Sequence, residues 1–550
     1  MPALYLGKVN LHWCGECELP LVEKGDCNIC GTKGEPVKIT PPGDVRPAFK
    51  KDIELIRDTV DRQWGEGYSE HVIPPGKIAV LNSSPDIDRM DEVVIDGKVI
   101  GILRYSVERK LEKKEPFVFL IRPWEDLPSP DKGYVVMDKG AVKPILKGAS
   151  ALAPGILKGD ENIVPGDEVL VLGPDKNILG TGPSYKGGKE LVNNSSGKGV
   201  KIRWKVSKGP LKKKKQFWDD AVKANENILE KRINEAKEFI VSQIEERRLP
   251  YAVSYSGGKD SLAVLHLVLE TGLRPDLLFV DTGIELPETL ENVERVVKKH
   301  DLNLLKADSL DGYWNNVEHF GPSARDYRWC CKTCKLGPTG LLIKEHFPEG
   351  VLSFIGQRRY ESQNRMKHGA TWTNPWVPGQ VGASPIQEWT ALHVWLYLFM
   401  KDACYNPWYE KGFERIGCWV CPASDMAELE LLEDELEGYE RFYNTLERYR
   451  KRKGLPKEWS ELGMWRWLKV PKELTAGTSI EDITVLNRTK KSTRNISYCS
   501  GCGVCITSCP EDALYFEEGV KIKKEICTGC GKCREKCPVL EYTHRAVTHF

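Results

Sequence analysis

Eight of the chain's eighteen cysteines stand in two strings, "CSGCGVCITSCP" and "CTGCGKCREKCP", that repeat with a period of twenty-eight residues. Each reads C-x2-C-x2-C-x3-C-P, a spacing in which three thiolates bind one [4Fe-4S] cluster and the fourth, before proline, binds the other. The pattern predicts Cys499, Cys502, Cys505 and Cys537 on one cluster and Cys509, Cys527, Cys530 and Cys533 on its partner. Eight thiolates in duplicate order have few other uses, and a zinc reading of them is weak.

At 550 residues the chain is too long for a single core, and ordinary domain sizes predict roughly three to five folded units. The formal net charge is only +1, so any contact with nucleic acid must come from a local basic face. No apolar run approaches membrane-spanning length, which predicts a cytoplasmic protein with no membrane contact. Thiols stay reduced there, so clustered cysteines are expected as metal ligands or catalytic groups.

Cys14, Cys17, Cys27 and Cys30 form two knuckles that predict a zinc ribbon over residues 1–40, with iron as the rival metal. Residues 41–132 alternate a helical pattern, "FKKDIELIRDTVDRQW", with strand-like runs and carry no chemical motif, an α+β module. Over 133–206, short β-runs punctuated by glycine predict a small β-barrel. Its Gly148, Ala149, Ser150, Pro154, Gly155 and Ile156, then Gly166, Asp167, Val169 and Gly180, resemble the PUA domain of RNA-modifying enzymes. The resemblance implies RNA, notably tRNA, as a partner; a barrel kept for packing alone is the alternative. Residues 207–250 hold a basic linker, with Lys212 to Lys215 read as a solvated run, and then one long amphipathic helix whose apolar stripe begins at Phe217 and Trp218.

From 251 to 425 strands and helices alternate, predicting a central doubly wound parallel sheet and making the whole a multidomain α/β protein. At the end of its first strand stand Ser256, Gly257, Gly258, Lys259, Asp260 and Ser261. Glycines let backbone N–H groups approach phosphate, the next helix N-terminus adds positive potential, and Lys259 supplies a point charge. The string lacks the glycine spacing of a Walker loop and resembles the PP-loop of the adenine nucleotide α-hydrolase fold. That resemblance implies ATP or an adenylyl nucleotide with magnesium, Lys259 and Asp260 as catalytic groups, and Asp281 near the nucleotide.

"RDYRWCCKTCKLGP" and "ERIGCWVCP", with "GQRRYESQNR" and "SPIQEWTALHVWLYL" between them, resemble the phosphoadenosine-phosphosulfate (PAPS) and adenylyl-sulfate reductase family. In that family, four such thiolates hold a [4Fe-4S] cluster beside the nucleotide. The resemblance therefore implies a third cluster on Cys330, Cys331, Cys418 and Cys421, and phosphate-binding roles for Arg358, Arg359 and Arg365; surface ion pairing is the plain reading of each arginine. Cys334 is left over as a catalytic nucleophile or persulfide carrier, unless it is a ligand and one of the adjacent pair is free. Cys404 is expected as a buried structural thiol. Residues 426–490 predict a helical extension, 491–550 a domain similar to bacterial 2[4Fe-4S] ferredoxins, and Lys490 to Asn495 a hinge between them.

Sulfonucleotide reductases use a cysteine in a C-terminal "ECG" motif, and residues 422–498 contain no cysteine. Their loop usually loses its lysine, whereas ATP-using relatives keep it, as this chain does. The sequence thus favours an ATP-dependent sulfur transfer to RNA, served by an external sulfur donor and by an electron donor to the ferredoxin-like domain. The alternatives are a reductase that turns adenylyl sulfate or PAPS into sulfite, and a non-catalytic RNA-binding redox sensor.

Overall fold

The computed structural model describes residues 9–193, 196–207, 214–309, 311–367, 369–475, 498–517 and 519–541. The expected hinge at Lys490 to Asn495 lies outside them, as do Lys212 and Lys213 of the basic run. Among the described residues no helix is long and apolar enough to cross a membrane. The chain forms two units: Met1–Leu229 with Thr390–Lys401 and Glu410–Gly412, and Glu230–Trp389 with Asp402–Tyr409 and Phe413–Phe550.

The first unit opens with a small antiparallel sheet of β1 (His12–Cys14), β2 (Leu19–Leu21) and β3 (Glu35–Pro36), in the order β2-β1-β3. Next comes a five-stranded antiparallel sheet in sequence order, β4 (Arg46–Pro47), β5 (Val80–Ser83), β6 (Met90–Ile95), β7 (Lys98–Tyr105) and β8 (Phe117–Ile121). Asp96 and Gly97 join β6 to β7 with φ of 48° and 72°, the positive values that a two-residue Asp-Gly hairpin turn needs. The helix Lys50–Trp64 places Ile56, Val60 and Trp64, four residues apart, in one apolar cluster with Val93, Leu103 and Phe119.

One end of that helix is held by buried charge. Arg46 grips Asp52 through two bonds of 2.7 and 2.8 Å, Arg89 donates a third at 2.7 Å, and the Phe49 N–H a fourth at 2.9 Å. Burial works against the Asp52 charge, yet the two guanidiniums hold its pKa below the usual range. Replacing Asp52 with Ala removes the carboxylate that Arg46 grips and leaves Arg89 with Asp91 at 2.8 Å, and a loss of about 3–5 kcal/mol of unfolding free energy is expected in denaturant titration followed by tryptophan emission.

The barrel comprises β9 (Tyr134–Met137), β10 (Ala151–Leu152), β11 (Ile156–Gly159), β12 (Glu168–Leu172), β13 (Ile178–Pro183), β14 (Lys198–Val200) and β15 (Trp204–Lys205). Its main sheet runs β11-β9-β12-β13-β15, with β12 parallel to β9, and β10 pairs with β14. Val135, Met137, Val169, Val171 and Leu179 fill its core.

The long helix expected after the linker is instead two, Trp218–Ala224 and Glu226–Arg247. Asn225 breaks it because its amide serves other backbone: it donates to Pro20 O at 2.8 Å and accepts from Val22 N–H at 2.9 Å. Phe217, read as core, is 61% exposed. The helix Ala391–Met400 also belongs to the first unit, where Trp395 meets Phe49 edge to face at 4.8 Å. There the Ala391 N–H donates to Asp44 at 2.6 Å, and His393 lies 3.1 Å from Glu23.

The second unit is built on a sheet of β16 (Tyr251–Ser254), β17 (Asp276–Asp281), β18 (Leu304–Asp308), β19 (Val351–Ile355), β20 (Thr371–Thr373) and β21 (Gln380–Ala383). The order is β18-β17-β16-β19-β21-β20, parallel except for the edge strand β20. The order reverses direction between β16 and β19, which makes that gap the switch point where α/β sheets bind ligands. Helices Met426–Glu435 and Tyr439–Lys453 follow, and the last module carries the hairpin β22 (Leu514–Phe516) and β23 (Val520–Ile522).

Candidate active site and its cysteine groups

The loop after β16 lies at the switch point. Gly257 has φ 74°, and a Cβ there would meet the Thr289 methyl at 2.8 Å, so both conformation and space require glycine. Ser261 Oγ accepts from the Ser256 N–H at 3.2 Å and donates to the Gly258 carbonyl at 2.9 Å, which closes the loop on its own helix, Lys259–Glu270. The Lys259 N–H donates to the Tyr409 hydroxyl at 2.9 Å.

Lys259 is 4% exposed, with its ammonium 3.1 Å from Asp260, and Arg358 reaches the other Asp260 oxygen at 2.6 Å. Burial opposes the Lys259 and Asp260 charges, but the cations hold the Asp260 carboxyl well below the usual carboxylate range, and Asp260 holds the Lys259 ammonium above its own. Arg358 is thus joined to the loop. Arg359 is turned to Glu388, at 2.8 and 2.9 Å, and Arg365 to Glu361, a carboxylate that also accepts from the Arg358 N–H at 2.8 Å and whose charge reaches Lys259. Asp281, at the end of β17, pairs with Lys306 at 2.8 Å and accepts from the Gly283 N–H at 3.0 Å.

The segment after Tyr409 runs from this loop to the core cysteines. The Glu414 carbonyl accepts from the Lys259 ammonium at 3.5 Å, and the Ile416 carbonyl lies 3.9 Å from where a Gly258 Cβ would stand. Cys418 follows two residues later, a step of at most about 7 Å along the chain. It is fixed by Thr282 at 3.6 Å and Glu285 at 3.7 Å, and the Trp419 N–H donates to the Ile284 carbonyl at 3.0 Å. Cys330 and Cys331 open the π-helical turn Cys331–Leu336. Cys330 shares its proton with Cys331, which is drawn down to about 6 by that bond and by Arg328 and Lys335. Arg328 donates to Cys421 at 3.5 Å, and Lys335 is held above its usual range chiefly by Cys418. Four thiols ringed by two cations suit the net negative charge of an iron–sulfur cubane, so the residues fit the implied group.

Cys334 is 2% exposed, and burial pushes its thiol up to about 11, with Cys331 and Cys502 adding to the rise. Cys404, expected to be buried, is half-exposed and lies 3.4 Å from Arg295.

The ferredoxin-like module is seated on this same region. A Cβ at Gly337 would stand 2.2 Å from the Cys502 carbonyl oxygen, so backbone touches backbone where the π-turn ends. Tyr498 stacks on His319 at 3.6 Å and donates to Asn316, Lys332 pairs with Glu541, and Lys344 pairs with Asp512. Burial and then the charges of Cys502, Cys499 and Cys537 push Cys505 up to about 12. Cys509 accepts from the Ala513 N–H at 3.4 Å, while Cys527 and Cys530 are exposed and Cys533 is half-buried. In the first unit, the sulfurs of Cys14, Cys17, Cys27 and Cys30 lie within 4.8 Å of one another, compatible with the edges of a tetrahedron of 2.3 Å metal–sulfur bonds.

The phosphoadenosine phosphosulfate reductase domain matches residues 250–424, the PUA domain 133–205, and a 4Fe-4S dicluster domain 498–540. An uncharacterized protein of Methanocaldococcus jannaschii, MJ0066, is 34% identical over 484 residues, 84% of this chain and 97% of its own. The chain belongs to the PAPS reductase family. Within it, this member joins the reductase-type core to a PUA domain and a dicluster ferredoxin domain. A second M. jannaschii protein, MJ0973, is 33% identical over 49% of this chain and 66% of its own length. The phosphoadenosine 5'-phosphosulfate reductase of Gloeobacter violaceus is 28% identical over 29% of this chain and 66% of its own.

Sequence reasoning passed over Tyr409, Glu285 and Lys335, whose side chains meet the loop or the core cysteines. Lys335 had a visible signal, being one residue past Cys334; Tyr409 lies 150 residues from the backbone N–H it caps and had none.

Proposed function

We propose that the protein is an ATP-dependent sulfurtransferase acting on RNA, notably tRNA, with electrons supplied by its own ferredoxin-like domain. The observation that carries this reading is the short segment 414–418, which touches the complete nucleotide loop at one end and supplies a core cysteine at the other. Lys259, with the N–H groups at the start of its helix, would hold the phosphates, and Asp260 and Arg358 would fix Lys259 in place. A base carbonyl oxygen attacks the α-phosphorus, pyrophosphate leaves, and the oxygen becomes a good leaving group as part of AMP. Hydrosulfide then displaces AMP, leaving a thiocarbonyl. A hydrosulfide donor makes the sequence redox-neutral, whereas a persulfide needs two electrons and a proton to release hydrosulfide and a thiol. When bound, the core cluster would supply redox chemistry and a site for sulfur. Its ligands would be Cys330, Cys331, Cys418 and Cys421, and Cys334, enclosed beside them, would remain as the nucleophile or persulfide carrier.

The test uses anaerobically reconstituted full chain. RNA-stimulated release of AMP and pyrophosphate from ATP is expected, with a thionucleoside found on digestion. Sulfite formed from adenylyl sulfate without RNA would instead identify a sulfonucleotide reductase. Cys334→Ser should keep core iron near the wild-type content, because four other thiolates remain; loss of a whole cluster's iron would make Cys334 a ligand.

A further inference from the structure

A groove of about 800 Å³ in the first unit is lined by residues from the cysteine ribbon, the α+β module and the barrel together. Five of its side chains are basic, Lys38, Lys98, Arg122, Arg203 and Lys205, against one acid, Glu35. For a chain of net charge +1 this is a marked local excess. At its floor is the half-buried Trp204, with the Arg122 guanidinium 5.2 Å and the Arg203 guanidinium 5.4 Å from the ring centre.

Both arginines are set from beneath. Glu92, its side chain 5% exposed, lies 3.5 Å from Arg122, and Glu168, 1% exposed, lies 2.8 Å from Arg203, while each arginine is about one-third exposed. Buried carboxylates thus hold two planar cations beside an aromatic ring before any ligand arrives, which lowers the ordering cost of binding. Flat π and guanidinium surfaces stack unpaired bases, and the lysines around them suit a phosphate backbone. A duplex hides its base faces and would use only the lysines.

We infer that this three-walled groove binds single-stranded RNA, with an unpaired base held at Trp204, Arg122 and Arg203 and flanking phosphates at Lys38, Lys98 and Lys205. The inference rests on the RNA-directed reading above and adds that the recognised element is unpaired.

The test is fluorescence anisotropy of the full chain with a labelled oligouridine 12-mer and with a hairpin duplex of equal length, without ATP, over a salt series. The wild type should prefer the single strand. Trp204→Ala should weaken single-strand binding about tenfold while its salt slope stays unchanged. Lys98→Glu/Lys205→Glu, at two exposed positions outside the core, should flatten that slope by about 0.7 for each phosphate no longer neutralised. Wild-type binding by both variants, equal affinity for the duplex, or no RNA binding at all would overturn the groove assignment. If RNA still stimulates AMP release under any of those outcomes, the sulfurtransferase reading stands and only the groove falls.

Discussion

Lys259→Ala is expected to lower RNA-stimulated AMP release by about 10²–10³-fold, the usual cost of removing one preorganised charge from a phosphoryl transition state. The lysine is enclosed, so solvent cannot replace its ammonium, and its neighbours do not reach its position: Arg358 is committed to Asp260 and the Glu414 carbonyl is an acceptor. Iron content should be unchanged, which separates this loss from a failure of cluster assembly. A second signature follows from the pair with Asp260. Arg358 and Lys259 together depress that carboxyl, so the ionised form and the stability it contributes persist above the unfolded pKa and are lost only as pH falls through the lower folded value. Without Lys259 the depression shrinks, and the acid limb of the residual rate should move toward neutral pH. Activity within threefold of wild type would remove Lys259 from the chemistry.

Gly337→Val should uncouple the two halves of the iron chemistry while leaving both loaded. The added branched side chain must displace the Cys502 carbonyl, which is backbone and cannot swing away as a side chain would. Overpacking of this kind costs about 1–3 kcal/mol, or roughly 5- to 150-fold in the population of the seated module. Bleaching of the core iron after rapid mixing with a reduced donor should slow accordingly, with total iron and the spectrum of the isolated oxidised protein unchanged. An unaltered rate would mean that electrons enter the core by another route. Tyr498→Phe, which removes one hydroxyl from the same seat, offers a milder variant of the same sign.

Much of this architecture is legible in the linear order of residues because its signals are local. The helix over Lys50–Trp64 and the glycines of the nucleotide loop each follow from a few adjacent side chains, whereas the Asp96–Gly97 turn splits a run that reads as one strand. What escapes is set by partners far away in sequence. Asn225 ends a helix for the sake of backbone some two hundred residues earlier, and Arg359 finds Glu388 rather than the loop beside its neighbour Arg358. Burial of Cys334 likewise depends on a fold around it that no spacing rule reports.

The helix Ala391–Met400 lies within the stretch matched by the reductase family, yet it packs with the N-terminal unit through Trp395, Ala391 and His393. Beads strung end to end can be cut apart at one point, but threads that are interlaced cannot. Severing the gene near residue 229 would therefore leave the amino-terminal fragment short of a helix that its own core requires. Such a polypeptide is inherited and translated as one indivisible text, and splitting it into separately expressed halves demands that the 390–412 passage be copied into both.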